Sequence, residues 1–195
     1  MTAQVGDRFF LEGDGYSIVA LSNPIQFQPE EYGMIPEACC TACWNGYWCD
    51  YHISEEGIRL QNLYIHTKDE IYPKINGIGP EEKSKKYHLY MGHCLYRNLD
   101  LPMEYTGKIL VGKDFIRTYY MHMGYQRAWA YEVLKELVFE NGKLVQTVDH
   151  SHMAKQLREE IESRTVENGG KDDDIRQFVK KSFSLKLEDK AWWLL

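Results

Sequence analysis

The 195-residue sequence predicts a β-rich α+β domain built of antiparallel hairpins, forming a sheet or a partly open barrel with one or two peripheral helices. Three observations carry that expectation. Asn-Gly lies between strand-like segments in "WNGY" (44–47) and "ENGK" (140–143), where it suits the left-handed conformations of a tight hairpin turn. "GDGY" (13–16) and "SEEGI" (54–58) read as two further reversals. The 14 tyrosines help lift the aromatic fraction to 13%, and aromatic side chains suit the half-buried, pleated surface of a strand.

Along the chain these turns place hairpins at 7–21, 38–53, 47–66 and 131–149, the second and third sharing a strand. In "GIRLQNLYIH" (57–66), Ile58 and Leu60 have one parity while Leu63 and Ile65 have the other. A regular strand would turn half of them to water, so a β-bulge is expected near Gln61–Asn62. Residues 66–88 are polar and carry glycines and prolines, which predicts a long loop pinned to the core by Tyr72, Ile75 and Ile78. Strand character returns between 87 and 123, with Leu101–Pro102 and Gly107 as breaks.

At 128–138 the spacing of Val133, Leu134, Leu137 and Val138 fits a helix, yet Asn141–Gly142 just beyond decides for a strand next to the turn. Residues 151–164 predict a helix whose narrow stripe of Met153, Leu157 and Ile161 keeps it at the surface. "VENGGKDDD" (166–174) reads as a flexible linker between a domain at 1–165 and a C-terminal helix with an apolar tail at 175–195. The tail's Trp192 and Trp193 are expected either to dock on an apolar groove or to bind a partner.

Hydrophobic residues at 44% and charged residues at 27% are the balance of a globular protein. A formal charge of −6 argues against non-specific nucleic-acid binding, which needs a basic face. No run approaches the roughly 20 apolar residues of a membrane span. The start, "MTAQVGDRFF", lacks the basic-then-apolar pattern of an export signal, so the expected location is cytoplasmic, with the five cysteines reduced.

Four of those cysteines crowd into "CCTACWNGYWCDYH" (39–52). Cys40, Cys43, Cys49 and His52 have the spacing of a Cys3His zinc site. In a hairpin turning at Asn45–Gly46, however, Cys43 and His52 fall on one face and Cys40 and Cys49 on the other, so the four cannot converge. No metal and no cofactor are therefore expected. The same alternation puts Trp44, Tyr47 and Tyr51 on the buried face. It leaves Trp48, Asp50 and His52 nearer solvent, as a recognition spot or partly covered by the 66–88 loop.

His93 and Cys94 are adjacent, and neighbours on a strand point to opposite faces. A nucleophilic Cys94 would thus need another base, such as His122. "VDHSH" (148–152) offers Asp149, His150 and His152 to a metal if the chain turns there, but Asp149 or Ser151 as a helix cap is the simpler reading. "INGIGP" (75–80) lacks the residues of a phosphate loop. Arg97, Lys108, Lys113, Arg117 and Arg127 stand among aromatics and could frame an anionic ligand, or simply be solvated strand edges.

"TACWNGYWCDYHI", "YPKINGIGP", "YTGKILVGKDFI" and "MHMGYQRAWAYE" together resemble a group of small uncharacterised bacterial proteins over roughly residues 4–150. The resemblance implies no catalytic motif, cofactor or substrate. Acidity, aromatic content and the lack of a catalytic set point to a cytoplasmic, non-enzymatic binding protein. Its partner is expected to be another protein or a second copy of itself, and a regulatory or immunity-type role fits. The alternative is a small-ligand protein or enzyme using the region of His93, Cys94, Arg117 and His122.

Overall fold

The computed structural model describes residues 2–25, 27–54, 56–82 and 91–167. The segment 175–195, with Trp192 and Trp193, lies outside the described residues, as does the expected linker beyond 167. Nine strands form one sheet: β1 (Arg8–Leu11), β2 (Asp14–Leu21), β3 (Tyr47–Ser54), β4 (Gly57–Ile65), β5 (Cys94–Tyr96), β6 (Leu101–Pro102), β7 (Gly107–Phe115), β8 (Tyr131–Glu140) and β9 (Lys143–Asp149). Their order is β5-β4-β3-β1-β2-β7-β8-β9, with β6 beside the start of β4. Every pairing is antiparallel except β1 with β3. One α-helix, α1 (Ser151–Glu167), follows β9 among the described residues. The fold is β-rich α+β, as the turn signals predict.

The hairpins at 7–21, 47–66 and 131–149 form. In β4 the expected bulge is present: Asn62 faces Asp50, Leu60 faces Tyr51, and Gln61 is the extra residue. Ile58, Leu60, Leu63 and Ile65 thereby all enter the main core, with Phe9, Tyr51, Ile109, Leu137 and Phe139. The loop after β4 is held as foreseen, Ile75 being fully buried and Tyr72 and Ile78 packed beside it. Leu101–Pro102, expected as a break, instead pairs briefly with β4, Leu101 opposite Leu60.

The sheet curls without closing. At the β8–β9 turn the Gly142 carbonyl accepts from the Ile58 N–H at 3.0 Å, and the Gly142 N–H donates to Tyr105 at 2.7 Å. On the other face, α1 covers Leu110, Ala128 and Leu134 through Ala154. Among the described side chains of α1, Ala154 and Arg158 are buried, whereas Met153, Leu157 and Ile161 are half-buried, in keeping with a surface helix. Arg158 is tied down by the carbonyls of Trp129 and Tyr131, both at 2.9 Å.

The hairpin expected at 38–53 does not form. Both edges of β3 are occupied, by β4 and by β1, so residues 38–43 cannot pair with it. Instead, 39–46 folds as consecutive tight turns, with Cys43 N–H to the Cys40 carbonyl and Gly46 N–H to the Cys43 carbonyl, each 3.3 Å. Trp44 is consequently exposed, not buried. Trp48 and Asp50, expected near solvent, are buried; their side of the sheet is covered by a second small cluster of Cys43, Tyr64 and Leu95 with Val5 and Cys40.

Candidate functional site

Of the candidates, Trp48, Asp50 and His52 share one face of β3, between β1 and β4. Trp48 stacks on Tyr64 at 4.7 Å between ring centres, and His93 stands edge-on to the same indole at 4.5 Å. Asp50, fully buried, takes a two-pronged ion pair from Arg8 and a further 2.9 Å bond from Asn62. His52 follows on the same face, half-buried, and its enclosed Nδ1 has no hydrogen-bond partner. Sequence alternation put Trp48, Asp50 and His52 together correctly. It missed Arg8, because a parallel pairing with the N-terminal strand has no local signal.

His93 and Cys94 part company as strand alternation requires. Cys94 is buried opposite Ile65 on the core side, while His93 is buried against Trp48. The thiol that meets His93 is that of Cys39, with Sγ 3.5 Å from Nδ1 and 3.7 Å from Nε2. His122 is exposed and edge-on to Tyr120, Arg117 is exposed in a short 3-10 turn, and Arg97 is paired with Glu81 at 2.7 Å. Arg127 is exposed at the entry to the next 3-10 turn. Of the cations grouped by sequence, Lys108 and Lys113 also have carboxylate partners, Glu136 and Asp14. Asp149 accepts from the Ser151 N–H at 2.8 Å at the start of α1, His150 is buried near Glu136, and His152 is exposed.

Without the hairpin, the candidate zinc ligands are held apart by β3 itself. Cys49 belongs to the main core and His52 to the opposite face of β3, so those two still cannot share an ion. Among the described residues no group of three His, Cys, Asp or Glu is arranged to hold a metal. Burial pushes the Cys43 thiol up to about 11 and Cys49 well above the usual range, so both stay protonated.

Beside the cysteine turns lies an exposed surface that includes Trp44, which strand alternation had placed in the core. Trp44 is 56% exposed, Tyr125 54%, Met123 50% and Tyr120 46%. Gln4 ties their loops together: its N–H donates to the Gly124 carbonyl at 2.9 Å, and its Oε1 accepts from the Trp44 N–H at 3.0 Å. Its Nε2 also donates to the Thr41 carbonyl at 3.0 Å. A separate cavity of about 320 Å³ is lined by Phe27, Glu31, Tyr32, Met103 and Glu104, among others. It contains none of His93, Cys94, Arg117 or His122. No described helix is long and apolar enough to cross a membrane.

Comparison of the chain with family models, with curated proteins and with solved structures finds no match.

Proposed function

We propose that this is a cytoplasmic, non-enzymatic protein that binds another protein through the surface of Trp44, Met123 and Tyr125. The observation that carries the reading is the clustering of these large side chains, half or more exposed, on loops joined through Gln4. Interfaces concentrate their energy in such aromatic anchors, and holding them on hydrogen-bonded loops lowers the ordering cost of binding. The formal charge of −6 favours a partner with a basic face. The competing enzymatic reading loses support because Cys94, Arg117 and His122 occupy different surroundings.

Trp44→Ser and Tyr125→Ser lie at exposed positions and should change stability by no more than about 0.5 kcal/mol. A photoreactive residue at position 123 should crosslink one protein reproducibly in the producing cell, and the double variant should lose that product. Crosslinks only to a second copy of the chain would redefine the surface as a homodimer face. Crosslinks unaffected by the double variant would remove this surface from the proposal.

A further inference from the structure

The helix α1 leads the chain towards the surface of Trp44, Met123 and Tyr125. It starts at β8, where the Leu134 N–H donates to the Ser151 hydroxyl at 3.0 Å. Two turns on, Arg158 reaches the carbonyls of Trp129 and Tyr131. One turn further, Glu162 accepts from the Tyr119 hydroxyl. Tyr119 immediately precedes the loop that carries Tyr120, Met123 and Tyr125. Gln126 holds that loop closed: its Oε1 accepts from the Met121 N–H and its Nε2 donates to the Met121 carbonyl, both at 2.9 Å. Gln4 continues the connection from Gly124 to Trp44.

The helix ends at Glu167, five residues past Glu162, which adds about 7.5 Å at 1.5 Å per residue. The sequence then continues to "AWWLL" (191–195), which lies outside the described residues. Tyr119 and Met123, four residues apart, stand at most about 14 Å from one another along the backbone. Residues 168–190, at up to about 3.3 Å each, are long enough to cover about 75 Å. The apolar end of the chain therefore reaches every part of the exposed surface with length to spare.

We propose that residues 191–195 dock on the surface of Trp44, Met123 and Tyr125 within the same chain and compete there with the protein partner. The competition rests on the protein-binding reading; the docking does not. Two indoles and two leucines within five residues form an apolar unit that water disfavours. The exposed rings of Trp44 and Tyr125, with the thioether of Met123, offer a matching surface, since methionine sulfur packs well against aromatic rings. The cavity beside Phe27 is a poorer seat, because Glu31 and Glu104 border it. Docking within one chain is not weakened by dilution, so a contact too weak to hold a separate peptide suffices. A partner that uses the same anchors must displace the tail first.

The test places the photoreactive residue p-benzoylphenylalanine at position 192 of the purified full chain, at low concentration, followed by irradiation and peptide mapping. The expected product has the mass of one chain and joins the tail to peptides from 117–127 or 41–47. A product of twice that mass places the tail on a second copy and overturns docking within the chain. Crosslinks confined to other peptides, or none, overturn it as well. Competition is read separately in the producing cell. There Trp192→Ser with Trp193→Ser should raise partner crosslinking from position 123 at least about threefold. An unchanged partner yield overturns the competition even where the tail crosslink forms. If no protein crosslinks from position 123 in either chain, the protein-binding reading and the competition both fall, and the crosslink from position 192 still decides the docking.

Discussion

Arg8 grips Asp50 across the one parallel seam of the sheet, Nε to Oδ1 at 2.7 Å and Nη2 to Oδ2 at 2.8 Å. The two residues are register partners, so the guanidinium fork meets the carboxylate where β1 and β3 run side by side. Asp50 is buried and Arg8 is about half exposed. Removing the partner of a fully buried charge costs about 3–5 kcal/mol, but here water can reach the vacated side. Arg8→Met is therefore expected to lower stability by about 1–3 kcal/mol in urea unfolding. Combined with Asp50→Asn in a double-mutant cycle, it should show a coupling of at least about 1 kcal/mol. Strict additivity would mean that the pair does not hold the seam.

Gly57 is where the curled sheet touches itself. Its φ is +132°, and a Cβ there would stand 2.7 Å from the Gly142 carbonyl oxygen. That carbonyl accepts from the Ile58 N–H, so Gly57→Ala both strains the backbone and pushes the β8–β9 turn off β4. A loss of about 2–4 kcal/mol is expected, visible as a lower melting temperature. An unchanged midpoint would show that the turn gives way freely and that the contact contributes little.

The bulge at Gln61 was legible in the sequence because it resolves a conflict that can be counted there: two apolar pairs of opposite parity on one strand. Deleting Gln61 brings Ile58, Leu60, Leu63 and Ile65 into one parity, so a regular ladder through β4 would keep all four in the core. The deletion variant is therefore expected to keep a cooperative unfolding transition, with a loss of no more than about 1–3 kcal/mol. Loss of that transition would show that the bulge itself, and not only the facing of the four side chains, holds the strand in register.

The site was legible only in part. Turn chemistry and alternation are local, so they gave the hairpins and put Trp48, Asp50 and His52 on one face. They misplaced Trp44, because Asn45–Gly46 makes a tight turn whether or not two strands flank it. What denied it a hairpin was β1 occupying the remaining edge of β3, a contact about forty residues away in sequence. The approach of Cys39 to His93 is equally non-local: they are 54 residues apart, with nothing in either segment to announce the meeting. Asp7 is a third such case, brought beside β3 by the same seam.

Asp7 predicts a pH dependence whose sign follows from its surroundings. Burial pushes its carboxyl up to about 6 from the ordinary 3.8, and the negative charge of Asp50 adds to this, while the Cys49 N–H donated to Oδ1 at 2.8 Å partly opposes it. Tyr47, at about 12, and Cys49 and Tyr51, both higher than usual, are neutral in the acid range, so Asp50 with Arg8 is the charged neighbour that matters. Between about pH 4 and 6 the folded chain keeps a proton that the unfolded chain has released. Stability therefore falls as pH rises through that window, by about 1–3 kcal/mol from this group, and does not return above it. Asp149 works in the opposite sense, since its bonds to Ser151 lower it and its contribution is lost only below about pH 4. Asp7→Asn keeps an oxygen to accept from Cys49 but cannot ionise. In urea titrations at pH 4, 5, 6 and 7, the variant should match the parent near pH 4 and exceed it at pH 7. If the difference between variant and parent stays constant across the series, Asp7 is not the titrating group.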